Sequence, residues 1–517
     1  MTEDAITVEE MRSIDINSEY LGISRLMLME NAGAETARAI IRKINVKDKN
    51  ICIIAHLGNK GGDGFVAARH LANQGAHVNV ILIGKPAQIR TMEARKNWEV
   101  LSRMEYSVNK TIFTDTSQLP LLEKLMLKAD IIIDALLGTG IKGKIRTPIA
   151  EIVELINKAR ENGKYIVSID LPTGINPNTG KVMGNAVKAH LTITHHKPKI
   201  GLIKEEAKKY IGELIVANIG IPLEAELFTG PGDVLISIKK RKPISHKGDY
   251  GRIVIVGGSK DYSGAPALAA LAALKTGADL SIIIAPKTVS QAIRSFSPNL
   301  IVREYEGEFF NENGLKVALN EIKKADSIII GPGLSLTEET VKNTLTLIEE
   351  LKRLDKKVTI DADAIKICSK KKDVLKGLNG VITPHTGEFK ILTGINLPSE
   401  ENKGWISRIK IIKEQAKKLK ITILLKAHYD IISDGERVKI NRTGNPGMTV
   451  GGTGDVLAGI TSTFLAWENT PFRAATAAAF INGLAGDLAV NEKGFHITAT
   501  DVLDKIPDAF KEVTKYT

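Results

Sequence analysis

Short apolar, β-branched runs alternate with helix-like stretches along almost the whole chain, and this rhythm leaves few folds open. Residues 51–55, 78–83, 131–135 and 165–169 are strand-length runs of this kind. Between them lie helical patterns such as 64–74. Strands joined by crossover helices form a parallel sheet with helices on both faces. The rhythm breaks at 221–250, where Pro222, Pro231, Gly232, Pro243 and the basic run 239–242 show no strong period; this is a candidate linker. It then restarts with 253–256, 282–285, 328–330, 358–360 and 421–425. A hairpin of 429–433 and 436–440, turned at Asp434-Gly435, is expected next. The tail from about Gly454 is helical and rich in alanine, which suits close helix packing. The expectation is two α/β domains, residues 1–225 and 226–517, each a three-layer αβα sandwich large enough to bury its own core.

Composition narrows the function classes. With 43% hydrophobic and 25% charged residues the chain is globular. Its formal net charge is +12, but the lysines are dispersed in short groups, which reads as a solvated surface with some bias toward an anionic substrate. No basic patch interleaved with aromatics and no zinc module supports nucleic-acid binding. The two cysteines, Cys52 and Cys368, sit in apolar patterns and are expected in the core. A polar N-terminus and the lack of any apolar run near the ~20 residues needed to span a bilayer point to the cytoplasm and away from membranes.

Chemistry is concentrated at the ends of strands. Gly58-Asn59-Lys60-Gly61-Gly62-Asp63-Gly64 follows the first run and opens a helix, so its amides can approach a phosphate. Its adjacent glycines are not the spaced dinucleotide fingerprint. Asp134-Ala135-Leu136-Leu137-Gly138-Thr139-Gly140-Ile141-Lys142-Gly143 and Asp170-Leu171-Pro172-Thr173-Gly174 end two further strands. In open parallel sheets ligands bind outside the carboxyl ends of strands, so these three segments converge on one crevice.

With Met29-Glu30-Asn31-Ala32-Gly33, these motifs resemble the N-terminal domain of the NAD(P)H-hydrate epimerases over residues 1–220. The resemblance implies a Rossmann-like fold. It also implies that the dinucleotide lies against Asn59, Lys60, Gly61, Gly62 and Asp63 and against Gly138, Thr139, Gly140, Ile141, Lys142, Gly143 and Lys144, with Asp170 at the reacting ring. It further implies a potassium site using Asp134 and Thr173. One departure matters: the family usually has a second asparagine where this chain has Lys60. Either the Lys60 ammonium stands near the potassium position or abolishes the ion, or it points to solvent and the backbone supplies the contacts. The implied chemistry is inversion at C6 of a hydrated nicotinamide ring, through an iminium-like or ring-opened species, with a carboxylate such as Asp170 moving the proton.

In the second half, Gly447-Met448-Thr449-Val450-Gly451-Gly452-Thr453-Gly454-Asp455 precedes a helical pattern at 456–466. A glycine turn at a helix N-terminus makes an anion hole for a phosphoryl group, and the adjacent Asp is placed to deprotonate a hydroxyl. This resembles the ribokinase-like superfamily. The wider set around His246-Lys247-Gly248-Asp249, Gly331-Pro332-Gly333, Asp361-Ala362-Asp363, Thr383-Pro384-His385 and Gly444-Asn445-Pro446 resembles the NAD(P)H-hydrate dehydratases. By that resemblance Lys426, Ala427, His428, Tyr429 and Asp430 bind ADP or ATP, together with Asn445, Pro446, Gly447, Met448, Thr449, Val450, Gly451, Gly452, Thr453 and Gly454. Ala265, Gly333, His385 and Asp455 face the hydrated NADH or NADPH, and Asp455 is the base. Magnesium accompanies the nucleotide, with Glu388 a candidate for ordering its hydration shell. The remaining histidines, His195 and His196 among them, have no metal-ligand spacing and read as surface or packing.

Two other readings compete. A vitamin-type small-molecule kinase shares the Gly-Gly-Thr-Gly-Asp element but has no use for the first domain. A dinucleotide-sensing scaffold is the other. Hydration produces both C6 epimers, so an epimerase beside a stereospecific dehydratase explains the fusion. A homo-oligomer is expected, and the apolar faces of the alanine-rich C-terminal helices pack either internally or against another subunit.

Overall fold

In the computed structural model, which describes residues 5–141 and 143–517, the chain divides into two compact units, the first ending at Pro222 and the second running from Leu223 to Thr517. The first is built on seven parallel strands: β1 (Asn50–Ala55), β2 (His77–Ile83), β3 (Val108–Phe113), β4 (Ile131–Ala135), β5 (Tyr165–Ile169), β6 (Leu191–His195) and β7 (Glu213–Ala217). Their order is β3-β2-β1-β4-β5-β6-β7, so the crossover direction reverses between β1 and β4. Alternate residues of β1 feed two cores. Ile51 and Ile53 pack with α2 (Arg25–Lys43) and α3 (Asn59–Ala72), which follow the N-terminal α1 (Val8–Tyr20). Cys52 and Ile54 pack with Leu122, Ile152 and Ile156 on the other face. Burial on both faces is why these strands read as unbroken apolar runs.

The second unit holds nine strands: β8 (Arg252–Val256), β9 (Leu280–Pro286), β10 (Ile301–Tyr305), β11 (Ser327–Ile330), β12 (Lys357–Ile360), β13 (Gly380–Ile382), β14 (Thr422–Leu425), β15 (Asp430–Ser433) and β16 (Val438–Asn441). The order is β10-β9-β8-β11-β12-β13-β14-β15-β16, parallel up to β14 and antiparallel beyond it. The hairpin is present, but its turn runs over four residues because the Asp434 carboxylate accepts from the amides of Glu436 and Arg437. On one face α4 (Gly264–Thr276), α6 (Thr453–Ala466) and α7 (Pro471–Lys493) form a small-residue layer. A Cβ on Gly459 would stand 2.7 Å from that of Ala272, so glycine lets α6 lie against α4. The opposite face includes α5 (Thr386–Thr393).

The 221–250 segment is not a bare linker. Thr229 donates its amide to the Ile440 carbonyl at 2.9 Å, and Lys439 pairs with Asp233 at 3.0 Å. The helix after β1 also begins earlier than its apolar period suggests. The glycine segment itself forms the first turn of α3, with the Gly62 amide donating to the Gly58 carbonyl at 3.1 Å.

Candidate active sites

In the first unit most of the polar residues of interest lie at the carboxyl ends of strands. Lys60 follows β1, and its side chain turns into the protein, with only 6% of the residue exposed. Its Nζ lies 3.0 Å from Asp134 Oδ2, 2.7 Å from the Leu171 carbonyl, 3.2 Å from Thr173 Oγ1 and 3.3 Å from the Leu137 carbonyl. Burial pushes the Lys60 pKa down and the Asp134 carboxylate opposes this. Asp134 is fully buried and also accepts from Ser168 Oγ and from the Thr173 amide and hydroxyl. Lys60 therefore fills the position between Asp134 and Thr173, and a potassium ion does not fit there beside it. The solvent-pointing reading of Lys60 is wrong for a physical reason: four oxygens converge on its nitrogen, and leaving them without a cation is costlier than burying the lysine.

Asp170 follows β5 with a left-handed backbone, φ 61°. Such a conformation is strained for a residue with a Cβ and marks functional turns. Its Oδ1 accepts from Lys199 Nζ at 2.5 Å and Thr194 Oγ1 at 3.1 Å. Burial pushes the Asp170 carboxyl up, but Lys199 and His195 together outweigh it and hold the pKa down to about 2. Lys199 is itself 1% exposed. His195 is buried at this site and is not a surface residue. Its Nε2 lies 3.1 Å from Thr36 Oγ1 and its Nδ1 3.9 Å from Asp63 Oδ2, and burial pushes its pKa down to about 4. Asp63, in the second turn of α3, completes the group together with Asp15 from α1. Gly138, Thr139, Gly140, Ile141, Gly143 and Lys144 form a half-buried to exposed loop after β4; a Cβ on Gly138 would lie 3.5 Å from Lys60 Cβ. Lys142 lies outside the described residues.

In the second unit Asp455 sits in the first turn of α6, behind Gly451 and Gly452. Gly452 has φ 97°, and a Cβ on Gly451 would meet nothing within 4 Å, so the turn presents open space to a ligand. Burial pushes the Asp455 carboxyl up to about 7; Asp361, Glu388 and Asp363 add to the shift and Lys426 opposes it. Lys426, directly after β14, pairs with Asp361 at 2.9 Å and reaches within 3.9 Å of Glu388. A Cβ on Gly454 would stand 3.1 Å from its Nζ, so the lysine ammonium borders the glycine turn. Burial opposes the Lys426 charge, but Asp361 and Glu388 raise its pKa overall. Thr383 Oγ1 donates to Asp361 at 2.7 Å and fixes that carboxylate.

His385 caps α5: its Nδ1 accepts from the amides of Gly387 and Glu388, while Glu388 accepts from the His385 amide at 3.0 Å. An acceptor Nδ1 leaves the proton on Nε2, which lies 3.5 Å from Glu388 Oε1. Gly333 follows β11 with φ 66°, and a Cβ there would lie 2.7 Å from Tyr262 Cβ; Ala265 is in the first turn of α4. Asn445 is braced by Asp487 at 2.8 Å and accepts from the Gly447 amide, which fixes the entry to the turn. Thr453 donates its hydroxyl to the Met448 carbonyl, and Pro446 and Met448 lie in a short helical turn. Thr449 and Val450 complete the loop, Val450 being 37% exposed. Asp430 accepts from the Ala427 amide and from Asn441, closing the turn that carries His428 and Tyr429.

Family sequence models match both units: YjeF-related protein N-terminus over residues 25–201, and NAD(P)H-hydrate dehydratase over residues 253–508. The bifunctional NAD(P)H-hydrate repair enzyme Nnr of Pyrobaculum aerophilum is 43% identical across 98% of this chain and 97% of its own. The chain belongs to the family of bifunctional NAD(P)H-hydrate repair enzymes. That of Methanothermobacter thermautotrophicus is 42% identical over 96% of this chain and 94% of its own. Among solved structures, the ADP/ATP-dependent NAD(P)H-hydrate dehydratase of Bacillus subtilis, co-crystallised with ATP and Mg2+, is 28% identical. It covers 56% of this chain and 98% of its own, with a TM-score of 0.47.

For this repair-enzyme chain the structure brings Lys60, Asp134 and Thr173 together, and separately Asp455, Lys426, Asp361 and Glu388. Asp15, His195 and Lys199 are the residues that sequence reasoning passed over. Met29 and Gly33 serve packing: a Cβ on Gly33 would stand 2.6 Å from the Asp63 carbonyl, and one on Gly62 would strike Met29 Sδ. Gly61 is held more tightly still, since a Cβ there would run into the His56 carbonyl. The His56 amide is itself bonded to Ala135 at the sheet end, so this contact cannot relax. Gly61→Ala is expected to destabilise the first unit by about 1–3 kcal/mol, seen as a lower denaturant midpoint for one of two transitions.

Proposed function

We propose that the chain returns hydrated NADH and NADPH to the working cofactors in two steps. The first domain inverts the C6 hydroxyl. The second removes the hydroxyl from one epimer by phosphorylating it with ADP or ATP and expelling phosphate. The observation that carries the reading is the placement of Asp455, in the helical turn directly behind an open glycine turn and poised near neutrality. There the Asp455 carboxylate takes the ring hydroxyl's proton as the oxygen attacks the terminal phosphorus. The amides of Gly451, Gly452 and Thr453, with the α6 dipole, receive the phosphoryl oxygens. Lys426 neutralises charge at the same end of the turn. Glu388 and the nucleotide's phosphates would hold magnesium, which supplies charge neutralisation during transfer.

In the first domain Asp170 stabilises the cationic ring. Lys60 does the work that a bound monovalent cation would otherwise do, holding Asp134 and the loop after β5 in place. The vitamin-kinase alternative is not favoured, because relatives spanning the whole chain are bifunctional repair enzymes.

The test is an epimeric mixture of hydrated NADH with magnesium and either ADP or ATP, followed by the dihydronicotinamide absorbance. Full recovery is expected. Fast recovery of half, followed only by the spontaneous rate, would refute the epimerase assignment; no recovery with either nucleotide would refute the dehydratase.

A further inference from the structure

The first domain buries more carboxyl groups than its neighbouring bases neutralise. Lys60 is committed to Asp134 and Lys199 to Asp170. Asp63 and Asp15 remain. Asp63 is 9% exposed, and among the described residues its carboxyl has no hydrogen bond; His195 Nδ1 lies 3.9 Å from its Oδ2. The Asp63 backbone is fixed by the close approach of α2 at Gly33, so the side chain is aimed by packing rather than by a polar partner. The Asp63 side chain keeps 12% of its surface open, so a ligand entering the site can complete its bonding. Asp15, half-buried on α1, likewise has no carboxyl hydrogen bond among the described residues.

Inversion at C6 requires a proton to be given to the hydroxyl oxygen and then taken back. Asp170 is poorly suited to that task. Its Oδ1 is clamped by Lys199 at 2.5 Å and by Thr194, which makes it a standing anion.

We propose that Asp63 is the catalytic acid–base of the first site, while Asp170 stays ionised beside the ring. The assignment rests on the reading of the first domain as an epimerase. The Asp63 carboxylic acid gives its proton to the C6 hydroxyl. The C6–O bond breaks and its electron pair leaves with water, while the N1 lone pair forms the N1=C6 bond. Water then adds to the opposite face, the N1=C6 π pair returns to nitrogen, and the proton released by the water goes back to the Asp63 carboxylate. No reagent is consumed.

The surroundings agree. The groups facing Asp63 are Asp15 on α1, Lys60 on α3, Asp170 after β5, His195 at the end of β6 and Lys199 beyond it. Burial pushes Asp63 well above the usual carboxyl range; Asp170 and Asp15 add to this, while Lys199 and Lys60 oppose it. Burial likewise pushes Asp15 up to about 7. Burial and the neighbouring carboxylates therefore favour the protonated form of Asp63.

The test uses the full chain and the C6 epimer that the dehydratase does not accept, with magnesium and nucleotide. Asp63→Asn is expected to lower epimerisation kcat by about 10²–10⁴-fold with KM within threefold, as for loss of a general acid–base. Direct dehydration of the other epimer reports that the chain is folded. Asp15→Asn is expected to retain activity but to move the basic limb of the kcat profile to lower pH, because a like charge is removed. An Asp63→Asn variant with kcat within threefold of wild type overturns the proposal, as does an Asp15→Asn profile that superimposes on wild type. Absence of epimerisation in the wild type overturns the epimerase reading along with it.

Discussion

Asp455→Asn should leave nucleotide binding within a fewfold of wild type and reduce dehydration by about 10²–10⁴-fold, the usual worth of a positioned base. The substitution keeps the side chain's shape in the first turn of α6 and removes only its ability to take a proton. The pH dependence has a defined sign. Burial raises the Asp455 pKa to about 7, so the base form is scarce below that value and the wild-type rate should climb as pH rises through it. The same shift makes a stability prediction. An Asp whose folded pKa lies above its unfolded value binds protons more tightly when folded, so its stability contribution is lost as pH rises toward about 7. Asp455→Asn should therefore stabilise the second domain at pH 8 and have less effect at pH 4. Differential unfolding at the two pH values, with single-turnover dehydration, checks both; a variant destabilised at pH 8 would sink the electrostatic account.

Lys60→Asn should make the first domain depend on potassium. Removing the lysine leaves Asp134, at 0% exposure, without its ion partner. Breaking a buried pair from one side costs about 3–5 kcal/mol. Asn supplies an oxygen but no charge, so a monovalent cation has both room and reason to enter between Asp134 and Thr173. Unfolding midpoints and epimerisation rates should rise with potassium chloride in the variant and stay flat in the wild type. Lys60→Met, which offers no ligand, should be destabilised with less rescue. A variant as indifferent to potassium as the wild type would refute the view that the ammonium stands in for an ion.

How much of this was legible in the sequence depends on whether a residue's role is local. Parallel strands such as β1 and β8 are buried on both faces, so their apolar runs announce them. Gly61 and Gly452 are visible because turns and close approaches demand glycine within a short segment. Lys199 is different. It lies in a lysine- and histidine-bearing stretch after β6 that reads as solvated surface, and only the fold sets it against Asp170, which is 29 residues away in the chain. Asp15 sits in an ordinary N-terminal helix with no motif around it. Lys60 left two readings open, since a lysine can leave a glycine turn in either direction. The oxygens that decide between them come from β4 and the loop after β5.

The two units have separate apolar cores, Ile53 and Val167 belonging to one and Ile255 and Val358 to others. A lesion that melts the first core therefore need not silence the second. The survivor would be a dehydratase that clears one epimer quickly and leaves its mirror configuration at C6 to spontaneous interconversion. Damage to one half of the polypeptide would then appear as a slow, incomplete repair curve rather than as loss of repair, and partial alleles of the two halves would be told apart by the shape of that curve.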